Sequence, residues 1–326
     1  MGLPKETAVV VATHQYDGIL ERCLSSILPL LQRPEDLILV DNGSARVLTR
    51  LASLRFAGIS TVTLDQNLLY CGGYNAGISL AMERGYEYIL ILNADTEVIN
   101  NRFLAELMRT AKRWPTAAFV GPLVYWRSQN AVQRTCLQFP SILRNMLIWF
   151  PWRIARDHFT RQLQTEGEVE FLNGVCVLCR TSALREIGLM DEAFGGYVED
   201  TDWSWRAHER GWKSVFTPVT SIVHHESDIG YEPYSVKTFL LKRNTVLWYL
   251  KIGRRNSALA YASAAMALAF VRMVSALSSD DRQRHRCFVK RLWRTYLGLL
   301  RGETPGGWFG PPLAAWADNA IAVHRG

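Results

Sequence analysis

Short apolar runs and amphipathic stretches alternate along the first 125 residues. "TAVVVATH", "DLILVDNGS", "ISTVTLD", "YEYILILNADTEV" and "TAAFVGPLVY" are compact and rich in β-branched residues, as buried strands are. Between them, "LERCLSSILPLL", "GGYNAGISLAMERG" and "NRFLAELMRTAKRW" repeat their apolar positions at helical spacing. Strand alternating with helix predicts an α/β fold, a mostly parallel sheet with helices on both faces. Ligands of such sheets gather beyond the carboxyl ends of the strands. Polar residues stand at those ends here: Asp41 after the second strand, and Asp95, Thr96 and Glu97 where the chain leaves "YILILN".

Carboxylates at the mouth of a buried sheet suit a divalent cation, whose hard charge takes oxygen ligands. A nicotinamide-binding fold shares the alternation, but it needs G-x-G-x-x-G directly after the first strand. That turn reads "VATHQYDG", and the Gly72-Gly73 pair comes after the third strand instead. A dinucleotide-binding oxidoreductase is therefore disfavoured.

A second constellation lies in "FGGYVEDTDWSWRAHERGW". Glu199, Asp200 and Asp202 stand within four positions, followed at once by Trp203 and Trp205. Two readings stand together. Asp200 or Asp202 caps a helix running from about 203 to 210; alternatively, three carboxylates partly desolvated by indoles raise one another's proton affinity.

Composition adds that the chain is folded throughout, being 48% hydrophobic and 21% charged without repeats or low-complexity tracts. Six cysteines form no disulfide framework. Cys176 and Cys179 are a C-x-x-C pair in a strand pattern, so they face opposite ways and read as buried small residues. Charge is uneven. Lys242 to Arg301 holds thirteen Lys and Arg against Asp280 and Asp281, a net +11, leaving −4 for the rest of a chain of net +7. Such a segment meets nucleic acid or an anionic membrane, and its companions favour the membrane. "NSALAYASAAMALAFVRMVSAL" is apolar from Ala258 to Val271, and "RCFVKRLWRTYLGLLRG" puts Phe288, Leu292, Tyr296 and Leu299 on one helical face with basic residues mostly around the other. Leu147, Ile148, Trp149, Phe150 and Trp152 make a tryptophan-rich patch that reads as a membrane interface, a buried hairpin or a dimer contact. "MGLPKETAVVVATH" enters a strand pattern directly and Glu6 breaks the myristoylation consensus, so a cytoplasmic protein is expected.

Together "VVVATHQYDGILERCLSSIL", "LILVDNGS", "NLLYCGGYNAGI", "YILILNADTEV", "FLNGVCVLCRTSALREIGLMDEAFGGYVEDTDWSWRAHERGWKSVFTPVTSIVHHES" and "LLKRNTVLWYLK" resemble the family 2 inverting glycosyltransferases, in particular the bacterial rhamnosyltransferase-like branch that decorates cell-surface polysaccharides. The pieces span roughly residues 7 to 251, their joint occurrence being far more specific than any one of them. The resemblance implies a GT-A catalytic domain over 1–251 and leaves 252–326 as a helical, basic, membrane-associated segment. It implies a nucleotide-diphosphate sugar donor, dTDP-rhamnose favoured, a glycan or lipid-linked acceptor, and Mg²⁺ or Mn²⁺. Asn93-Ala94-Asp95 stands where the family has its metal-binding D-x-D, with Asp95 as main carboxylate. His224, six residues after Pro218, matches a second ligand, with His225 as fallback. By the same resemblance Asp41 should face the base or ribose with Thr13 and Asn67 nearby, and Gly72, Gly73 and Asn75 should let the chain pass close to the sugar-diphosphate. Asp200 matches the catalytic base, positioned by Glu199 and Asp202, and Trp203 and Trp205 can stack on an acceptor sugar. His14 and Gln15 depart from the Thr-Tyr-Asn that usually ends the family's first strand. A transferase fold that has lost turnover and only binds a sugar nucleotide or glycan is the non-enzymatic alternative.

Overall fold

A computed structural model describes residues 6–126, 131–142, 163–225, 235–276 and 278–303. The tryptophan-rich patch at 147–152 lies outside them. The chain divides into two compact units: the described residues of Met1–Phe139, Thr160–Asp191 and Asp200–Ser227, and those of Pro140–Phe159, Glu192–Glu199 and Asp228–Gly326.

In the first unit the chain runs β1 (Thr7–Thr13), α1 (Gly18–Ile27), β2 (Leu37–Asn42), α2 (Val47–Arg55), β3 (Ser60–Leu64), α3 (Leu69–Glu83), β4 (Tyr88–Leu92), β5 (Thr96–Val98), α4 (Phe103–Arg113) and β6 (Ala117–Trp126). There follow β7 (Val132–Gln133), β8 (Cys136–Leu137), β9 (Gly167–Val169), β10 (Phe171–Leu172), β11 (Cys176–Arg180), α5 (Thr181–Ile187), α6 (Glu199–His208) and β12 (Lys213–His224). The main sheet is ordered β3-β2-β1-β4-β11-β6-β12-β5. Its first four strands are parallel, as the strand–helix alternation predicts. Beyond β4 the sheet is mixed, because β11 enters antiparallel between β4 and β6 and β5 folds back antiparallel onto β12.

Local chemistry explains the element ends. Asp17 caps α1 by accepting from the amides of Ile19 and Leu20. The helix tightens to a 3₁₀ turn over Leu28–Leu30, where Pro29 cannot donate to an α-helical ladder. The α3 glycines serve close packing: a Cβ on Gly77 would overlap Val10 and Val40 of the sheet, and one on Gly73 would lie 2.8 Å from the Asn42 side-chain nitrogen. Cys176 and Leu178 face one core while Val177 and Cys179 face the other side of β11, the alternation expected of a strand. Both cysteines are buried, and burial pushes both thiols up, which leaves them inert.

In the second unit, α7 (Val236–Lys251), α8 (Arg255–Ser275) and α9 (Ser279–Leu300) pack together. Tyr249 of α7 meets Tyr261 of α8 at a ring distance of 6.2 Å, and Phe239 of α7 meets Phe288 of α9 edge-on at 6.2 Å. Phe288, Leu292, Tyr296 and Leu299 are buried, while Phe270, Val271 and Val274 of α8 and Trp293 of α9 are exposed. Among the described residues α8 alone is long and apolar enough to cross a membrane by length and composition. Cys287 of α9 is the one exposed cysteine of the six.

Candidate active site

Beyond the carboxyl ends of β1 and β4 lies a cavity of about 720 Å³, lined among others by Thr13, Gln15, Asp17, Arg22, Tyr70, Asn93, Asp95 and His225. The turn bearing Asp95 is held from three sides. The Asn93 amide donates to the Val175 carbonyl at 2.9 Å, the Thr96 hydroxyl to the Asn93 carbonyl at 2.6 Å, and the His225 amide to the Asp95 carbonyl at 2.7 Å. Antiparallel pairing of β5 with β12 sets His224 opposite Thr96 and so brings an imidazole to this turn from 129 residues away.

His224 Nε2 lies 3.2 Å from Asp95 Oδ1. Its Nδ1 lies 2.8 Å from Gln133 Oε1 of β7, and its ring stacks on Trp126 at 5.7 Å. Gln133 Oε1 only accepts, so Nδ1 carries the proton in the neutral ring and Nε2 turns a lone pair toward the Asp95 carboxylate. Two acceptors facing each other is an arrangement that a cation would satisfy. Among the described residues no group of three or more His, Cys, Asp or Glu converges as a complete metal cage. Asp95 and His224 are two donors whose chemistry would suit a divalent cation, short of a complete site by themselves. His225 is paired elsewhere, with Nε2 2.9 Å from Glu97 Oε2.

Asp200 is the second residue of α6 and is partly buried. Its Oδ1 accepts from the Thr201 amide at 2.7 Å and its Oδ2 from the Gly174 amide at 3.3 Å. Burial pushes its pKa up from 3.8 to about 6, against the downward pull of those bonds. Proton affinity is raised as the sequence predicts, although the cause is burial rather than crowding by carboxylates. Asp202 is buried and neutralised by Arg206, whose Nε donates to Oδ2 at 2.8 Å while its Nη2 donates to the Leu189 carbonyl. Glu199 is the buried first residue of α6. The helix therefore starts four residues before the expected position, and neither aspartate is its cap.

The other expected contacts fall away from the cavity. Asp41 is wholly buried and accepts from the Ser44 amide at 2.9 Å and the Thr49 hydroxyl at 3.1 Å. Asn67 accepts from Asn42 and from the Leu69 amide. Gly43, at φ +89°, lets its turn touch the backbone of Gln66–Asn67. Gly72 and Gly73 are buried in α3, and Asn75 exchanges hydrogen bonds with the Met190 backbone. Trp203 is a correction: its indole N–H donates to the Gly188 carbonyl at 2.8 Å and its ring packs on Phe119 at 4.8 Å, so its face belongs to the core rather than to a sugar. Trp205 is half-buried, edge-on to Phe139 at 5.0 Å. Gln133, Gly174 and Tyr70 had no sequence signal as site residues. Gly174 acts through its backbone amide and carbonyl, Tyr70 reaches that carbonyl with its hydroxyl, and Gln133 arrives on a two-residue strand.

A parallel sheet continued by mixed strands, with an acidic turn at the strand ends and a partly buried carboxylate nearby, is the arrangement of the GT-A class of nucleotide-sugar-binding folds. Residues 8–188 match the family described as Glycosyl transferase family 2, and the chain belongs to that family. It is 30% identical over 244 residues to the N-acetylglucosaminyl-diphospho-decaprenol L-rhamnosyltransferase of Mycobacterium tuberculosis, covering 70% of this chain and 78% of that one. It is also 30% identical over 192 residues to the galactofuranosyltransferase GlfT1 of the same species, covering 56% of this chain and 58% of that one. In fold it resembles a GalNAc-T7 structure containing UDP, GalNAc and Mn²⁺, with a TM-score of 0.56 at 17% identity over 76% of this chain and 48% of that one.

Proposed function

We propose that the protein is an inverting glycosyltransferase that moves a sugar, rhamnose, from a nucleotide-diphosphate donor to a hydroxyl of a glycan or lipid-linked acceptor in cell-surface polysaccharide synthesis. The observation that carries the chemistry is the placement of Asp95 and His224 at one end of a backbone bridge, Asn93–Val175–Gly174, whose other end is Asp200. Rhamnose and the lipid-linked acceptor take their support from the similarity to the mycobacterial N-acetylglucosaminyl-diphospho-decaprenol L-rhamnosyltransferase. Thr13 and Asn93 line the cavity where the donor's diphosphate would lie. Asp95 and His224 would hold Mg²⁺ or Mn²⁺, which when bound supplies positive charge to the departing nucleotide diphosphate.

In the transfer, a bond forms between the acceptor oxygen and the anomeric carbon as the bond from that carbon to the diphosphate oxygen breaks. The acceptor's proton passes to the Asp200 carboxylate, which is ionised at neutral pH yet basic enough to take it. Asp202 fixes its helix through Arg206. The test is a panel of nucleotide sugars with purified protein and Mn²⁺, reading donor hydrolysis and transfer. Selective consumption of dTDP-rhamnose is expected; consumption of another donor alone would refute the rhamnose assignment, and binding without consumption would make the chain a binding protein.

The protein acts on the cytoplasmic side of the membrane as a peripheral protein. Support comes from the exposed Phe270, Val271, Val274 and Trp293, flanked by Arg272, Arg286, Lys290 and Arg294 on the same two helices.

A further inference from the structure

Lys242, Arg243, Asn244 and Thr245 are four consecutive polar residues of α7, and all are buried. Burying such groups costs free energy unless each finds partners. The partners of the middle two are concentrated. Arg243 Nη1 donates to the Phe194 carbonyl at 3.4 Å and to Asn244 Oδ1 at 2.8 Å, and its Nη2 donates to the Ala193 carbonyl. Asn244 Nδ2 donates to the carbonyls of Phe194, Gly196 and Tyr197 at 2.9, 2.8 and 2.6 Å. An amide with two hydrogens facing three carbonyls shares them, so two side chains gather four backbone oxygens from a five-residue stretch.

The chain then passes through Tyr197 at φ +64° and Val198 at φ +73°. Left-handed backbone is uncommon for any residue with a Cβ and an outlier for β-branched valine. Such a pair persists only where its surroundings over-determine it. The next two residues in the chain are Glu199 and Asp200, the first turn of α6.

We infer that Arg243 and Asn244 are positioning residues for the transfer reaction, holding the Ala193–Tyr197 carbonyls so that the chain turns left-handed through Tyr197–Val198 and presents Asp200 in one orientation. The inference rests on the reading of Asp200 as the base. Filling the interior alone would not require this pair, since two leucines of similar bulk pack without burying a charge. A general base displaced by about 1 Å loses up to about 10²-fold in rate while donor binding is untouched.

The test measures kcat, donor dissociation constant and melting temperature for Asn244→Ala and Arg243→Lys, with Asp200→Asn as reference. Asn244→Ala is expected to lower kcat at least tenfold with donor affinity within twofold of the parent. Adding Val198→Gly, which accepts the left-handed turn without strain, should recover part of that loss. Arg243→Lys keeps the charge but not the fork, and it carries the same test if Asn244→Ala does not fold. Unchanged kcat in a folded variant, a parallel fall in kcat and donor affinity, or no recovery with glycine would each overturn the inference. If Asp200→Asn itself retains transfer, the base reading fails; if it loses transfer while the α7 variants retain it, only the positioning inference fails.

Discussion

The amide of Gly174 donates to Asp200 Oδ2 at 3.3 Å while its carbonyl accepts the Tyr70 hydroxyl at 2.6 Å. One peptide unit further, the Val175 carbonyl accepts the Asn93 amide at 2.9 Å. The turn between β10 and β11 thus fixes the distance between the carboxylate proposed as base and the turn bearing Asp95, using backbone groups that few substitutions can remove.

Asp200→Asn should lower the transfer rate about 10²–10⁴-fold with donor affinity unchanged, because asparagine keeps the shape but takes no proton. In the parent, kcat should fall on the acid side with an apparent pKa near the value of about 6 that burial gives Asp200. Initial rates from pH 5 to 8 on saturating donor check both. An acid limb that survives in Asp200→Asn would assign it to another group.

The same shift predicts a stability effect of opposite sense. A carboxyl whose pKa rises from 3.8 to about 6 on folding favours the folded state when protonated. That contribution is present below pH 3.8 and is lost as pH rises through about 6, up to about 3 kcal/mol. Unfolding free energies of parent and Asp200→Asn should therefore diverge in the variant's favour between pH 4 and 7, measured by urea denaturation at each pH.

Asp95→Ala should abolish the Mn²⁺-dependent gain in nucleotide affinity without unfolding the protein, since the Asp95 side chain is 39% exposed and supports no core. Gln133→Leu should weaken metal binding about 10–100-fold while sparing metal-free nucleotide binding, because the His224 ring loses the partner that fixes its tautomer. Calorimetric titration with Mn²⁺ in the presence of nucleotide separates the two.

Gly77→Ala should destabilise the protein by about 1–3 kcal/mol, because the added methyl would press on Val10 and Val40. A lowered melting temperature with normal kcat in the folded fraction is the expected result.

Membrane attachment predicts co-sedimentation with vesicles containing anionic lipid, weakened by salt. Deleting residues 254–326 is a poor probe, because Tyr261 and Phe288 pack on α7 and their loss would unseat it. Phe270→Ser with Trp293→Ser removes exposed apolar surface alone and should release the protein.

The strands that build the parallel half of the sheet were legible because each is a short β-branched run ending on a polar residue. Asp95 was legible because a carboxylate closing an apolar strand is conspicuous. The start of α6 was not, since the left-handed backbone of Tyr197 and Val198 has no residue signature when neither is glycine. Trp203 misled for a related reason: sequence shows its neighbours along the chain, whereas its partners Gly188 and Phe119 come from elsewhere in the fold. Gln133 reaches His224 across 91 positions, and no periodicity announces such a contact.

Five cysteines are buried and Cys287 alone is exposed, one residue from Arg286 and three from Lys290 on α9. A thiol-directed fluorophore would therefore label the native protein at a single place without any engineering. Placed among the cations proposed to meet lipid headgroups, that dye would report membrane approach through its emission, and its quenching by labelled lipid would time the encounter independently of sugar transfer.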